Sequence, residues 1–168
     1  MSEASIALAL GSNLGDREGH LERGLASLGA LGVVTLATSA VYETEPVGGP
    51  PQGPYLNLVA LVRTDLAPEA LLRAALEVER QAGRVRTVRD AARTLDVDIL
   101  FYGDLVQRTP SLVLPHPRLH ERRFVLVPLA EVAPHWRHPI LGYSAAEMLA
   151  RGADRSAVER WRKTVPAR

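Results

Sequence analysis

Between Gly83 and Leu100, four arginines (Arg84, Arg86, Arg89 and Arg93) run directly into Thr94-Leu95-Asp96-Val97-Asp98-Ile99. The alternation of acidic and β-branched residues predicts an extended strand over Thr94–Tyr102, with successive side chains on opposite faces. Asp96 and Asp98 then share one face, their Cα atoms about 6.6 Å apart, while Val97 and Ile99 take the other and anchor it in a core. Aspartate is depleted in strands and an uncompensated buried charge is costly. Two carboxylates on one strand face therefore call for a cation. Hard oxygen ligands in that number suit Mg²⁺, which takes one or two carboxylates plus substrate phosphates. The neighbouring arginines supply planar, permanently charged forks for phosphate oxygens. Alone, the arginine run would be an ordinary solvated loop; beside the aspartates it describes a polyphosphate-transfer site.

The 168 residues, 46% of them hydrophobic, suffice for one compact domain over 1–168. A net charge of +1 carries no global nucleic-acid signature, so the basic character is local. The absence of cysteine excludes disulfides and thiolate metal sites. The apolar run Ile6–Leu10 is too short for a signal peptide, and no stretch approaches the about 20 apolar residues of a membrane span. A soluble, cytoplasmic protein is expected. Lys163 is the only lysine, which excludes a Walker-type phosphate loop in the middle of the chain. Asn13 and Asn57 are the only asparagines.

Ser5–Leu10 reads as a buried strand ended by a turn at Gly11-Ser12-Asn13-Leu14-Gly15-Asp16, with Asp16 or Asn13 as helix N-cap. Leu21, Leu25 and Leu28 follow at helical spacing. Val33–Glu43 reads as one strand, Pro46–Pro54 as a loop, and Tyr55–Arg63 as a strand with Tyr55, Asn57, Val59 and Leu61 on one face. Pro68 fits the first position of a helix that stops at Gly83. After the Asp-x-Asp strand, Arg122–Glu131 is predicted helical with Pro128 as a bend or boundary. Ser144 caps a short helix through Ala150, Gly152 stops it, and the charged tail is expected to form a surface helix. The order β-α-β-β-α-β matches the ferredoxin-like α+β arrangement, an antiparallel sheet with two helices on one face, and the additional C-terminal helices would cover the other.

The loop–strand unit from Tyr42 to Asn57 contains a connection that is long for a compact domain, which favours a binding role. The Asn57 amide offers paired donor and acceptor groups, suited to the edge of a heterocycle such as a pterin or guanine. Tyr55 and Phe124 are flat surfaces on which such a ring can stack. In Pro115-His116-Pro117-Arg118-Leu119-His120, the two histidines stand at zinc-ligand spacing, but Pro117 opposes a helix through both. A nucleotide contact from His116 and a phosphate fork from Arg122 fit better.

Taken in order, Gly11-Ser12-Asn13-Leu14, Tyr42-Glu43-Thr44-Glu45-Pro46-Val47-Gly48, Tyr55-Leu56-Asn57, Glu79 with Gly83-Arg84, Arg93-Thr94-Leu95-Asp96-Val97-Asp98-Ile99 and Pro115-His116-Pro117-Arg118-Leu119 resemble the 6-hydroxymethyl-7,8-dihydropterin pyrophosphokinases of folate biosynthesis. The resemblance runs from the first strand to about Pro134. It implies pyrophosphoryl transfer from ATP to the hydroxymethyl oxygen of a reduced pterin, with AMP released. It implies that Asp96 and Asp98 hold two Mg²⁺ ions. Thr44, Glu45, Val47, Tyr55, Asn57 and Phe124 would contact the pterin. Leu72, Glu79, Arg84, Arg86, Arg93, Ile99, His116 and Arg122 would contact ATP, with Arg84 and Arg93 approaching the transferring group. A monomer without nucleic-acid or membrane partners is implied. Many members carry Trp-Gly-Pro-Arg where this chain has Asp90-Ala91-Ala92-Arg93, which leaves a contact between Arg89 and ATP open.

Two other classes fit parts of the pattern. A different metal-dependent phosphotransferase or nucleotidyltransferase would share the aspartates, and its nucleotide product would separate it. A ferredoxin-like RNA-binding module would use the arginines, but no strand of this chain carries the clustered aromatics of such a surface, and Asp96 and Asp98 would repel phosphate unless metal-loaded.

Overall fold

The computed structural model describes residues 5–46, 51–83 and 94–161. Its centre is β1 (Ile6–Ser12), which pairs antiparallel with β4 (Tyr55–Arg63) on one side and β5 (Asp96–Tyr102) on the other. Beyond β4 come β2 (Val34–Thr38) and β3 (Tyr42–Thr44), both paired to β4, and then β8 (Val158–Arg160) on β3. A separate two-residue ladder joins β6 (Gln107–Arg108) to β7 (Val113–Leu114).

Alternation along the strands builds two cores. Ile6, Leu8 and Leu10 of β1, Leu56, Leu58, Ala60 and Val62 of β4, and Val97 and Ile99 of β5 face one way. They pack on Leu21 and Leu28 of α1 (Arg17–Ala30) and on Leu71, Ala75 and Val78 of α2 (Pro68–Gln81). Ala7, Val59 and Leu100 face the other way. They pack on Val125, Leu126 and Leu129 of α3 (Arg123–Val132) and on Ala145 and Met148 of α4 (Ala145–Arg151). The result is the expected α-β-α layering of a ferredoxin-like sheet.

Local chemistry sets the element ends. The Asp16 side chain accepts from the Gly19 N–H at 3.2 Å and starts α1, and Pro68 opens α2 where its missing N–H costs nothing. Ser144 and Glu147 form a reciprocal capping box at α4. Among the described residues no helix is long and apolar enough to cross a membrane.

Three expectations change. Val33–Glu43 is two short strands rather than one, because side chains take over the ladder between them. Ser39 Oγ accepts from the Val59 N–H at 3.0 Å, Glu131 accepts from the Ala40 N–H at 2.9 Å, and the Tyr42 hydroxyl donates to Glu131 at 2.5 Å. Pro128 does not bound α3, which continues past it to Val132. The tail over Val158–Arg160 is a strand instead of a helix: the outer edge of β3 presents backbone donors and acceptors, and pairing satisfies them.

Candidate active site

At one end of the sheet, Gly11 of β1 stands opposite Asn57 of β4 and opposite Asp96 of β5. One strand step further in, Ala9 stands opposite Val59 and Asp98. Asn57, Gly11 and Asp96 therefore form a single cross-strand row, with Asn57 and Asp96 about 10 Å apart at two strand spacings. The middle of the row carries no side chain. A Cβ on Gly11 would lie 2.5 Å from Asn57 Oδ1 and 3.4 Å from Tyr55 Cδ1, so glycine is what lets the amide lie where it does. Asn57 is buried, and its Nδ2 donates to Thr44 Oγ1 at 2.6 Å, which fixes the amide against β3.

Above this row is an open cleft of about 660 Å³, solvent included. Thr44, Glu45, Pro46, Gln52, Tyr55 and Asn57 line one side, and Asp96, Asp98, Arg118, Arg122 and Phe124 the other. Eight of the residues nominated from sequence are thus gathered in one place: Thr44, Glu45, Tyr55, Asn57, Asp96, Asp98, Arg122 and Phe124. The Arg122 guanidinium lies 5.6 Å from the Phe124 ring centroid. Arg118, Gln52 and Pro46 were not nominated. Arg118 stands in the Pro-His-Pro-Arg motif and the other two in the Pro/Gly loop, so both motifs held the signal. Glu45 borders the cleft, yet its Oε1 accepts from the Ala157 N–H at 2.7 Å and so also ties the tail down.

Beyond β5 the sheet ends, and two nominated residues cap that edge. Glu79 of α2 is buried, and its Oε2 accepts from the Val97 N–H at 2.8 Å, at the residue between the two aspartates. His116 donates its backbone N–H to Leu100 O at 2.8 Å. Its ring nitrogen Nδ1 accepts from the Arg118 N–H at 3.2 Å, which leaves the ring proton on Nε2. Burial, and then the Arg122 charge, push the His116 pKa down to about 4, against a smaller opposing pull from Asp96. The imidazole is neutral at pH 7, a hydrogen-bond donor rather than a cation. Ile99 and Leu72 lie in the core beneath α1 and α2, Ile99 fully and Leu72 in part, and neither side chain lines the cleft. The His120 ring meets that of His138 edge-on, ring centroids 6.3 Å apart. Among the described residues no group of three or more His, Cys, Asp or Glu side chains could hold a metal by itself. Val47, Arg84, Arg86 and Arg93, with Arg89, lie outside the described residues.

Known proteins resemble this chain in sequence and in fold. The model of the 7,8-dihydro-6-hydroxymethylpterin-pyrophosphokinase family matches residues 7–134. A 2-amino-4-hydroxy-6-hydroxymethyldihydropteridine pyrophosphokinase of Bacillus subtilis is 44% identical over 126 residues, covering 74% of this chain and 75% of the relative. One from Methylorubrum extorquens is 42% identical over 154 residues, covering 91% and 96%. Among solved structures, a Plasmodium falciparum HPPK-DHPS triple mutant with pteroate superposes with a TM-score of 0.70 at 15% identity, over 89% of this chain. This chain spans only 43% of that longer one, and the likeness speaks for the fold alone. With the family match covering most of the chain and two relatives at 44% and 42% identity beside it, the chain belongs to the 7,8-dihydro-6-hydroxymethylpterin-pyrophosphokinase family.

Proposed function

We propose that this cleft transfers the pyrophosphoryl group of ATP to the hydroxymethyl oxygen of 6-hydroxymethyl-7,8-dihydropterin. The hydroxymethyl oxygen attacks the β-phosphorus, the bond from that phosphorus to the bridging α,β-oxygen breaks, AMP leaves, and the hydroxyl proton passes to solvent. The observation that carries the reading is the row Asn57–Gly11–Asp96. It sets a heterocycle-reading amide and a carboxylate pair in one cleft, separated by a bare glycine.

On this reading the pterin edge pairs with Asn57 and its ring lies against Tyr55 and Phe124, beside Thr44. Asp96 and Asp98 fit Mg²⁺ by donor chemistry: two hard oxygen ligands, too few for an all-protein cage and matched to a metal that shares its coordination with phosphates. Two such ions, when bound, would neutralise triphosphate charge and favour ionisation of the attacking hydroxyl. The remaining catalytic demand is alignment and charge stabilisation, which protein groups supply directly. Arg118 and Arg122 offer guanidinium groups to the phosphates from the α3 side, and Arg84, Arg86 and Arg93 are assigned there from the family pattern. On the open edge of β5, the Val97 N–H points outward to Glu79. Alternation places the Ile99 N–H and C=O on that same edge. A donor and an acceptor side by side complement adenine, with the neutral His116 close by. Glu79 then serves the nucleotide by holding the strand rather than by touching it. We infer that the protein works as a cytoplasmic monomer.

Replacing Asp98 with Asn tests the assignment. It keeps the shape and removes one metal carboxylate, and AMP formation should fall by roughly 10²–10³, comparable with loss of a group that stabilises developing charge. Turnover essentially equal to that of the unsubstituted protein would refute the metal role of the pair.

A further inference from the structure

Arg17, the first residue of α1, lies outside the cleft but holds both ends of the loop that forms its pterin side. Its Nη1 donates to Glu43 Oε2 at 3.0 Å and to the Pro54 carbonyl at 3.0 Å. Glu43 immediately precedes Thr44, the partner of Asn57, and Pro54 immediately precedes Tyr55. One guanidinium nitrogen therefore spans the strand that leaves the cleft and the strand that returns to it. The Arg17 side chain is only 21% exposed, and its Cζ sits 5.1 Å from the centre of the Trp161 ring.

Trp161 is itself fastened. Its backbone N–H donates to Val41 O at 2.8 Å and its indole N–H to Glu18 Oε2 at 3.0 Å. Just upstream, β8 pairs with β3, and Ala157 donates to Glu45. The tail thus forms a backing plate behind β3, and Arg17 is the bolt between that plate and the entrance to β4. A charge-assisted hydrogen bond in a half-buried setting is stronger and more directional than a surface ion pair. A planar cation stacked on indole has little freedom to swing away.

We propose that Arg17 is a positioning residue: it sets the separation of Thr44 and Tyr55 at the cleft mouth, and so the fit of the cleft to the flat substrate. This rests on the reading that the cleft holds the pterin. The role predicts a selective effect, because among the described residues the ATP side of the cleft is built from β5, the His116 segment and α3, whereas the Arg17 guanidinium engages Glu43, Pro54 and Trp161.

The test is Arg17→Met, which keeps the stem and removes the fork, with Arg17→Lys as the conservative partner and Asn57→Ala as a control on the site. Arg17→Met should raise the KM for 6-hydroxymethyl-7,8-dihydropterin about tenfold, less than the about 10²-fold that a remote change can cost when it misplaces reacting groups by about 1 Å. Affinity for a non-hydrolysable ATP analogue should stay unchanged, and Arg17→Lys should recover part of the loss. An unchanged pterin KM overturns the proposal. So does a parallel loss of pterin affinity, ATP-analogue affinity and melting temperature, which would mark a general structural role. If Asn57→Ala leaves pterin KM intact, the site reading fails and this proposal with it. If Asn57→Ala raises pterin KM and Arg17→Met does not, only this proposal fails.

Discussion

At the scale of single residues, the candidate site depends on one absent side chain. Gly11 could be recognised in the sequence as a turn glycine after a strand, but its role is set by register. It sits between Asn57 and Asp96, 46 residues downstream on one strand and 85 on another by their numbering, and nothing local in the chain announces that. Gly11→Ala would push against the Asn57 amide at 2.5 Å and break its 2.6 Å bond to Thr44. Losing one buried hydrogen bond of about 1.4 kcal/mol corresponds to about tenfold, so the pterin KM should rise by that factor with the ATP KM unchanged. Steady-state kinetics with each substrate varied in turn would show it. His116 gives a second residue-scale prediction. Its folded pKa of about 4 lies below the ordinary value of 6.5, so as pH falls the unfolded chain takes up the proton first. Stability is fully present above pH 6.5 and is lost progressively as pH drops toward 4. By pH 5 the loss from this group should reach about 2 kcal/mol. His138, whose pKa burial also lowers, works in the same direction. The His116 share is therefore read as the difference between the unsubstituted protein and His116→Gln in urea unfolding at pH 7.5 and pH 5. Equal pH dependence in the two proteins would contradict the assignment.

At the scale of elements, what was legible depended on whether the deciding contacts were local. The Asp96-x-Asp98 strand and its two faces followed from period-two alternation, because each side chain's direction is fixed by its neighbours. Asp16, Pro68 and Ser144 were readable as helix starts, since a cap acts within one turn. The break in the second strand was not readable, because it depends on Glu131 reaching across from α3 to Ala40 and Tyr42, about ninety residues away in sequence. β8 was misread for a similar reason: its charged residues suit a surface helix, and only the open edge of β3 makes it a strand. The α4 cap allows a clean test. Ser144 Oγ accepts from the Glu147 N–H at 3.1 Å, while Glu147 accepts from the Ser144 N–H at 2.9 Å. Ser144→Ala should cost about 1 kcal/mol. It should lower the melting temperature by about 3 °C in a protein of this size. Turnover at 25 °C should be unaffected, because α4 supports the core behind the cleft without reaching into it. A drop in turnover without a drop in melting temperature would mean that α4 has a more direct part in the site.

At the scale of the whole molecule, the β-α-β-β-α-β order gave the architecture, and the two extra helices fell on the bare sheet face where an apolar surface needed covering. The division of labour follows from that layering. The face under α1 and α2 is uninterrupted core, whereas the face under α3 and α4 is core at one end and cleft at the other, where Tyr55, Asn57, Asp96 and Asp98 replace apolar residues. The arginine loop was the loudest signal in the chain, and Arg84, Arg86 and Arg93 lie outside the described residues. The case for the cleft therefore stands on the pterin side, the aspartates and the edge of β5. The most direct test of the central claim is nucleotide product analysis with protein, Mg²⁺, ATP and 6-hydroxymethyl-7,8-dihydropterin, alongside a control without pterin. Pyrophosphoryl transfer predicts AMP that forms only when pterin is present, in a one-to-one ratio with pterin pyrophosphate. Pterin-dependent ADP, or no pterin-dependent nucleotide turnover from folded protein, would contradict it.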